Sequence, residues 1–235
     1  MKNSLIQIDF LKTPTDDSTT IAGLKKFWEK VLPIILSREK HFDKIWKSGT
    51  DEEIFAELIF CLFTPQSKAI WCWNAVNELA KKNMILYSNE GNIAKIIKKV
   101  RFRNNKAKYL VEARKMFTIN AKIILKIILK EKLKSLKDAH ELRKWLTKNI
   151  KGIGYKEAGH FLRNIGIEKN LAILDRHVLK NLKIYDAIKE VPPLLNEKAY
   201  LETEKQMQHF SKNTEIPMSH LDMLFWCKNA GGIFK

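Results

Sequence analysis

A chain of 235 residues with 45% hydrophobic content and a formal charge of +17 is too apolar for a disordered tail. It is long enough for one large domain or two small ones. No run approaches the ~18 consecutive apolar residues of a membrane span, and Lys2 and Asp9 flank too short an apolar stretch for a signal peptide. No membrane partner and a cytoplasmic location are therefore expected. Cys61, Cys72 and Cys227 are odd in number and widely spaced, which excludes a disulfide framework and any zinc or iron–sulfur spacing. No metal and no cofactor is expected.

Glycine and proline are scarce, and apolar residues recur at intervals of three and four, so an all-α chain is predicted, with no strand. Residues 1–17 read as extended or irregular, ending at Thr13-Pro14. A helix over 19–36 follows, kinked at Pro33. Another over 51–63 opens with a capping box, Thr50 to Glu53, and its Ile54, Leu58, Ile59 and Leu62 mark it as a core helix. Thr64-Pro65-Gln66-Ser67 breaks the pattern before a helix resumes through Trp71, Trp73, Val76 and Leu79. Further helices are predicted over 90–99, 104–117, 119–133, 138–149, 155–165, 176–183, 197–212 and 218–229. Asn89, Thr118 and Asn196 stand near three of the starts as candidate caps. Lys122, Lys126 and Lys130 would line one solvated edge of the 119–133 helix.

The charge is concentrated. Between Lys95 and Lys156 there are 20 Lys/Arg against four acids, so one quarter of the chain carries nearly the whole excess. That asymmetry favours a polyanion, and nucleic acid before a membrane surface.

The chemistry gathers in Asn149–Leu182. Gly152-Ile153-Gly154 lies between two predicted helices, where glycines allow a tight turn, positive φ and close approach of backbone amides to a ligand. A helix N-terminus there, with Lys151 and Lys156 beside it, suits a phosphate; a plain helix–helix corner is the other reading. Ala158, Phe161, Leu162 and Ile165 then define an inward face. Lys156 precedes that stripe, at a helix end where an ammonium is disfavoured and a nucleophilic amine is favoured. Its other reading is a surface lysine. Asp175 follows the apolar run Leu171–Leu174, which delivers it from the interior to the start of a short helix. It can cap that helix and also stabilise positive charge at a sugar carbon and move protons.

These residues resemble the helix-hairpin-helix DNA glycosylases with a Gly/Pro-rich loop and an aspartate, and within them the compact archaeal-type 8-oxoguanine DNA glycosylase/AP lyases. Three further passages carry the resemblance from about residue 50 to the end: Val100–Tyr109 is similar to an RF-x-x-x-K-A-x-Y segment, Phe60–Ser67 to the loop that enters DNA opposite the lesion, and Leu221–Lys235 to the ending that forms the base pocket. Gly231-Gly232 stands where Thr-Gly is usual.

The resemblance implies two helical subdomains with the helix-hairpin-helix at a DNA cleft: residues 50–165 as one, and 1–49 with 166–235 as the other. It implies that Lys156 attacks C1′ of the damaged nucleoside, forms an imine and nicks the strand by β-elimination, with Asp175 assisting. Phe102 and Trp226 would stack the flipped base, Asp222 and the terminal carboxylate of Lys235 would read its edge, and Gln66 would fill the vacated hole. Lys151, Gly152, Gly154 and His177 would contact DNA. A monomer acting on double-stranded DNA containing oxidised guanine is expected. A same-fold enzyme for an oxidised pyrimidine or alkylated purine, and a non-enzymatic DNA-binding module, are the alternatives; the second leaves Lys156 and Asp175 idle.

Overall fold

The computed structural model describes residues 11–12 and 18–234. Lys235 and most of the predicted irregular segment 1–17 lie outside them. Among the described residues twelve helices and four short strands follow in order: β1 (Leu11–Lys12), α1 (Ile21–Ser48), α2 (Asp51–Phe63), α3 (Ala69–Lys81), α4 (Met84–Tyr87), α5 (Glu90–Ile96), α6 (Arg103–Met116), β2 (Thr118–Ile119), β3 (Lys122–Ile123), α7 (Leu125–Ser135), α8 (Ala139–Asn149), α9 (Tyr155–Asn164), α10 (Arg176–Ile184), α11 (Glu197–Thr214), α12 (Met218–Ala230) and β4 (Gly232–Ile233). The all-α class holds, with two minimal ribbons, β1–β4 and β2–β3, added to it.

The chain forms two compact units, one over Asp43–Ile167 and the other over the described part of 9–42 together with 168–234. The first is built around α2. Ile54 to Phe63 are all buried, as expected of a helix that is apolar on every side, and α3, α6, α7 and α9 pack on it. Phe60 meets Trp73 and His160 edge-on, at ring distances of 5.7 and 5.6 Å, so His160 is a packed histidine. The capping box forms as expected: Glu53 N donates to Thr50 Oγ1 at 3.2 Å, and Thr50 N to Glu53 Oε2 at 2.8 Å. All three cysteines are free and buried.

In the second unit α10 and α11 pack on α12. Tyr185 stacks on Phe225 at 6.0 Å, and Phe210 joins them. The buried Lys228 ammonium donates to Tyr185 Oη and to Ser18 O. Trp28 Nε1 donates to His220 Nδ1 at 3.0 Å, and the opposite ring nitrogen lies 3.6 Å from Glu39 Oε2. The hydrogen bond from His220 holds the Glu39 carboxyl below the usual carboxylate range despite its burial.

Three departures have physical causes. Helix α1 runs to Ser48 instead of ending near 36, with Pro33 inside it, because the buried stripe of Leu24, Phe27, Val31 and Ile35 continues through Phe42 and Ile45. The predicted 119–133 helix begins only at Leu125. Ahead of it Thr118–Ile123 is a hairpin whose two loop residues, Asn120 and Ala121, have φ of 49° and 59°, the geometry of a type I′ turn. Thr118 is thus a strand residue and not a cap, and Lys122 lies off the helical lysine edge that Lys126 and Lys130 share. A four-residue helix, α4, follows Asn83 at φ 55°. Asn89 and Asn196 do cap, accepting from Asn92 N and Ala199 N.

The hairpin offers a stability test. Asn tolerates the left-handed region but Ala does not, so Ala121→Gly is expected to stabilise the protein by about 0.5–1 kcal/mol, read as a higher urea midpoint with an unchanged slope.

Candidate active site

The turn Ile150–Gly154 joins α8 to α9, and its two glycines serve different purposes. Gly152 has φ +86°, and a Cβ there would stand 2.4 Å from Tyr109 Cδ2. Gly154 is ordinary extended backbone, φ −96° and ψ −174°, at the N-cap of α9. The amides are also less open than expected: Ile153 N donates to Ile150 O, and Gly154 N to Glu157 Oε2 at 3.3 Å. Lys151 is exposed, 3.8 Å from Glu112 Oε1 and over the Tyr109 ring at 5.6 Å.

A measurable asymmetry follows. Gly152→Ala meets both a forbidden φ and the Tyr109 ring, and is expected to cost about 1–3 kcal/mol of stability and to weaken duplex binding. In Gly154→Ala the added Cβ faces the end of the Glu157 side chain at 3.1 Å, which can move, so a loss of about 1 kcal/mol or less is expected. Urea unfolding and a duplex-binding titration check both.

Lys156 lies in the first turn of α9, above an apolar face in which Ala158, Phe161, Leu162 and Ile165 are fully buried. Its side chain is only 22% exposed and its Nζ lies 3.7 Å from Glu157 Oε1, an acidic neighbour just past the basic stretch. The ammonium also donates to Thr64 Oγ1 at 3.4 Å, so the Thr64–Ser67 turn stands beside it. Gln66 on that turn is exposed and left-handed, at φ 54°. In the same unit Phe102 is 51% exposed, at φ 58°, with the Arg101 guanidinium over its ring at 5.1 Å. That rules out a space-filling core role for it.

Asp175 belongs to the other unit. Its Oδ1 accepts from His177 N and Val178 N, both at 2.8 Å, and so caps α10, while Oδ2 is not used by the cap. The preceding Leu171–Leu174 stretch is buried and is pinned by α11. Ala172 N donates to Glu204 Oε1, Leu174 N to Tyr200 Oη, and Tyr200 Oη to Ala172 O.

His177 is half-buried with its ring 6.4 Å from Trp226. Burial pulls its pKa below the usual value against the attraction of Asp175, and its Nε2 accepts from Arg176 Nε at 3.2 Å. Asp222 and Trp226, four residues apart on α12 and both half-buried, share a helix face. Gly231 closes α12 at φ 70°, a backbone angle that suits glycine. After it Gly232 and Ile233 pair with Lys12 and Leu11, and Phe234 is buried. The chain is thus held up to one residue before Lys235.

Of the residues that brace these side chains, Thr64, Lys106 and Tyr109 lie in the two segments that carry the sequence resemblance, while Glu157 in the first unit and Tyr200 and Glu204 in the second have no motif of their own. No group of three or more potential metal ligands occurs among the described residues.

Residues 35–216 match a family model described as 8-oxoguanine DNA glycosylase. A protein of Fusobacterium nucleatum named 8-oxoguanine DNA glycosylase/AP lyase is 42% identical over 90% of this chain and 96% of its own length. One of Korarchaeum cryptofilum with the same name is 36% identical over 88% and 92%. Among solved structures, the 8-oxoguanine DNA glycosylase of Thermotoga maritima superposes with a TM-score of 0.79 at 30% identity, covering 92% of this chain and 98% of that one. The Methanocaldococcus jannaschii 8-oxoguanine glycosylase/lyase, in complex with a 15mer DNA containing 8-oxoguanine, also scores 0.79, at 31% identity over 92% and 99%. Matched in sequence and in fold over most of its length, the chain belongs to the 8-oxoguanine DNA glycosylase family.

Proposed function

We propose that this chain excises 8-oxoguanine from double-stranded DNA and then nicks the strand as an AP lyase, with Lys156 as nucleophile. The activity rests on the 42% identity over 90% of the chain to a relative named for both reactions. The choice of Lys156 among 43 Lys/Arg rests on one local observation: it is the half-buried amine that follows the Gly152 turn and rests against Thr64.

The Lys156 amine attacks C1′ of the damaged nucleoside. A nitrogen–carbon bond forms, the glycosidic bond breaks, and the base leaves with the electron pair and takes up a proton. Loss of the amine proton and ring opening give an imine. Removal of a C2′ proton then expels the 3′ phosphate by β-elimination. Asp175 acts on the same nucleotide, stabilising positive charge at C1′ and carrying protons.

Phe102 and Trp226 stack the extruded base, since chemistry at a base requires taking it out of the helix. Asp222 and Lys235 read its edge, Gln66 fills the gap, and Lys151, Gly152, Gly154 and His177 hold the backbone. The two units act as two subdomains on one duplex, and a monomer suffices.

Borohydride reduction during the reaction with an 8-oxoguanine duplex is the test. A covalent protein–DNA adduct at Lys156 is expected, and a panel of duplexes carrying oxidised pyrimidines or alkylated purines should react more slowly. Faster reaction with one of those would reassign the lesion. No adduct with any of them would leave a DNA-binding module.

A further inference from the structure

We propose that Lys106 is a positioning residue for this reaction, whose ammonium ties the Phe63–Ser67 turn to α6 so that Thr64 stays against the Lys156 amine and Gln66 stays projected. The inference rests on the reading of Lys156 as nucleophile.

Lys106 is 4% exposed, a rare fate for a lysine. Its Nζ donates to Phe63 O and Pro65 O, both at 2.6 Å, and to Ser67 Oγ at 3.2 Å. Those three acceptors use all three ammonium protons. Phe63 O is a carbonyl at the C-terminal end of α2, which no helical amide satisfies and which attracts a cation, and Pro65 O lies in the turn that follows. The bonds span the ends of a turn in which Thr64 reaches Lys156 and Gln66 holds an unfavourable φ of 54°. Ser67 Oγ also accepts from Arg101 N, the residue before Phe102, so the tie extends to the proposed stacking ring.

Along α6 Lys106 and Tyr109 share a face at a spacing of three, and Phe102 stands just ahead of it at the helix N-cap. Tyr109 packs on Gly152. One helix face therefore braces both the lesion-side turn and the phosphate-side turn around Lys156. A cap on α2 alone would explain the bond to Phe63 O. It would not explain why the acceptors belong to the turn that Lys156 touches.

The tie is sensitive to pH. Burial lowers the Lys106 pKa from 10.5 to about 8. The titratable groups facing it are Cys72 on α3 and Lys156 and Glu157 on α9. The Cys72 thiol is itself pushed up to about 11 by burial, so it stays neutral at the pH of interest. As pH rises through about 8 the ammonium becomes an amine with two protons for three acceptors, and the turn loosens. Stability moves the other way. Because the folded pKa lies below the unfolded one, the unfolded chain binds more protons between about 8 and 10.5, and this group favours folding more as pH rises through that window. Loss of rate without loss of stability is therefore the signature of positioning.

The experiment is single-turnover trapping with an 8-oxoguanine duplex from pH 6 to 9.5, normalised to trappable enzyme, alongside thermal unfolding. Wild type should show an alkaline limb falling with a midpoint near 8. Lys106→Met should trap about 10–100-fold more slowly at pH 7, the cost of a displacement of order 1 Å at a reacting group, and should lack that limb. Ser67→Ala, which removes one acceptor, should move the midpoint to lower pH. A Lys106→Met rate within twofold of wild type, with the same pH profile, overturns the proposal. If Lys106→Met does not fold, Ser67→Ala decides, and an unmoved midpoint overturns it. A wild type that forms no adduct overturns the reading of Lys156 itself, and this proposal with it.

Discussion

Replacing Lys156 with Gln is expected to abolish borohydride trapping and to slow base release by about three orders of magnitude or more, while duplex affinity stays within about threefold of wild type. The substitution keeps length and polarity and can still donate to Thr64 Oγ1, the contact Lys156 makes at 3.4 Å. It removes the only atom able to form an imine from this position. Its cost to stability should be under about 1 kcal/mol, because the ion pair it deletes is a 3.7 Å contact to Glu157 on a partly open helix start. The loss is then chemical and not structural. Trapping that survives the substitution would place the nucleophile on another of the lysines. Binding that collapses with it would make Lys156 a phosphate contact. Measuring affinity and adduct yield on the same preparation separates the two.

Asp175→Asn is expected to slow the glycosylase step by about 10²–10⁴-fold with almost no change in melting temperature. Asp175 caps α10 through a single oxygen that takes both amide bonds, and an asparagine carbonyl caps about as well as a carboxylate. The substitution therefore leaves the helix start and the pinned Leu171–Leu174 stretch intact while deleting the charge. Asp175→Ala is the informative companion: it should lose the same activity and in addition about 1 kcal/mol of stability. An Asn variant as fast as wild type would reduce Asp175 to its capping role. An Asn variant as unstable as Ala would mean that the two amide bonds depend on the charge.

How much of this was visible before folding is uneven, and the unevenness has a cause. Signals within a few residues of one another survived. The Thr50–Glu53 box, the Asn89 and Asn196 caps, the α9 stripe and Asp175 at a helix start all follow from spacing along one chain segment, because the interacting atoms are neighbours in sequence. The hairpin at Thr118–Ile123 is not legible although it is local, since Asn-Ala is a weak form of its turn and the lysine–isoleucine repeat beyond it mimics a helix. The extension of α1 to Ser48 is hidden because the polar run near Ser37–His41 conceals an apolar period that Phe42 and Ile45 complete.

The candidate site divides along the same line. Residue order is enough for the helical class, the concentration of charge between Lys95 and Lys156, the Gly152–Gly154 turn with Lys156 behind it, and the delivery of Asp175 by an apolar run. Each of these depends on residue type and short spacing. That Gly152 needs its glycine more than Gly154 does emerges on folding, since it depends on Tyr109, 43 positions away. The same holds for Tyr200 and Glu204, which pin the stretch before Asp175 from a separate helix. Lys106 is the sharpest case. The RF-x-x-x-K-A-x-Y segment sets it apart from the other lysines of the chain, but its part comes from three acceptors that folding brings from 39 to 43 residues away. A lysine's surroundings, unlike its charge, exist only after distant backbone carbonyls have been packed around it.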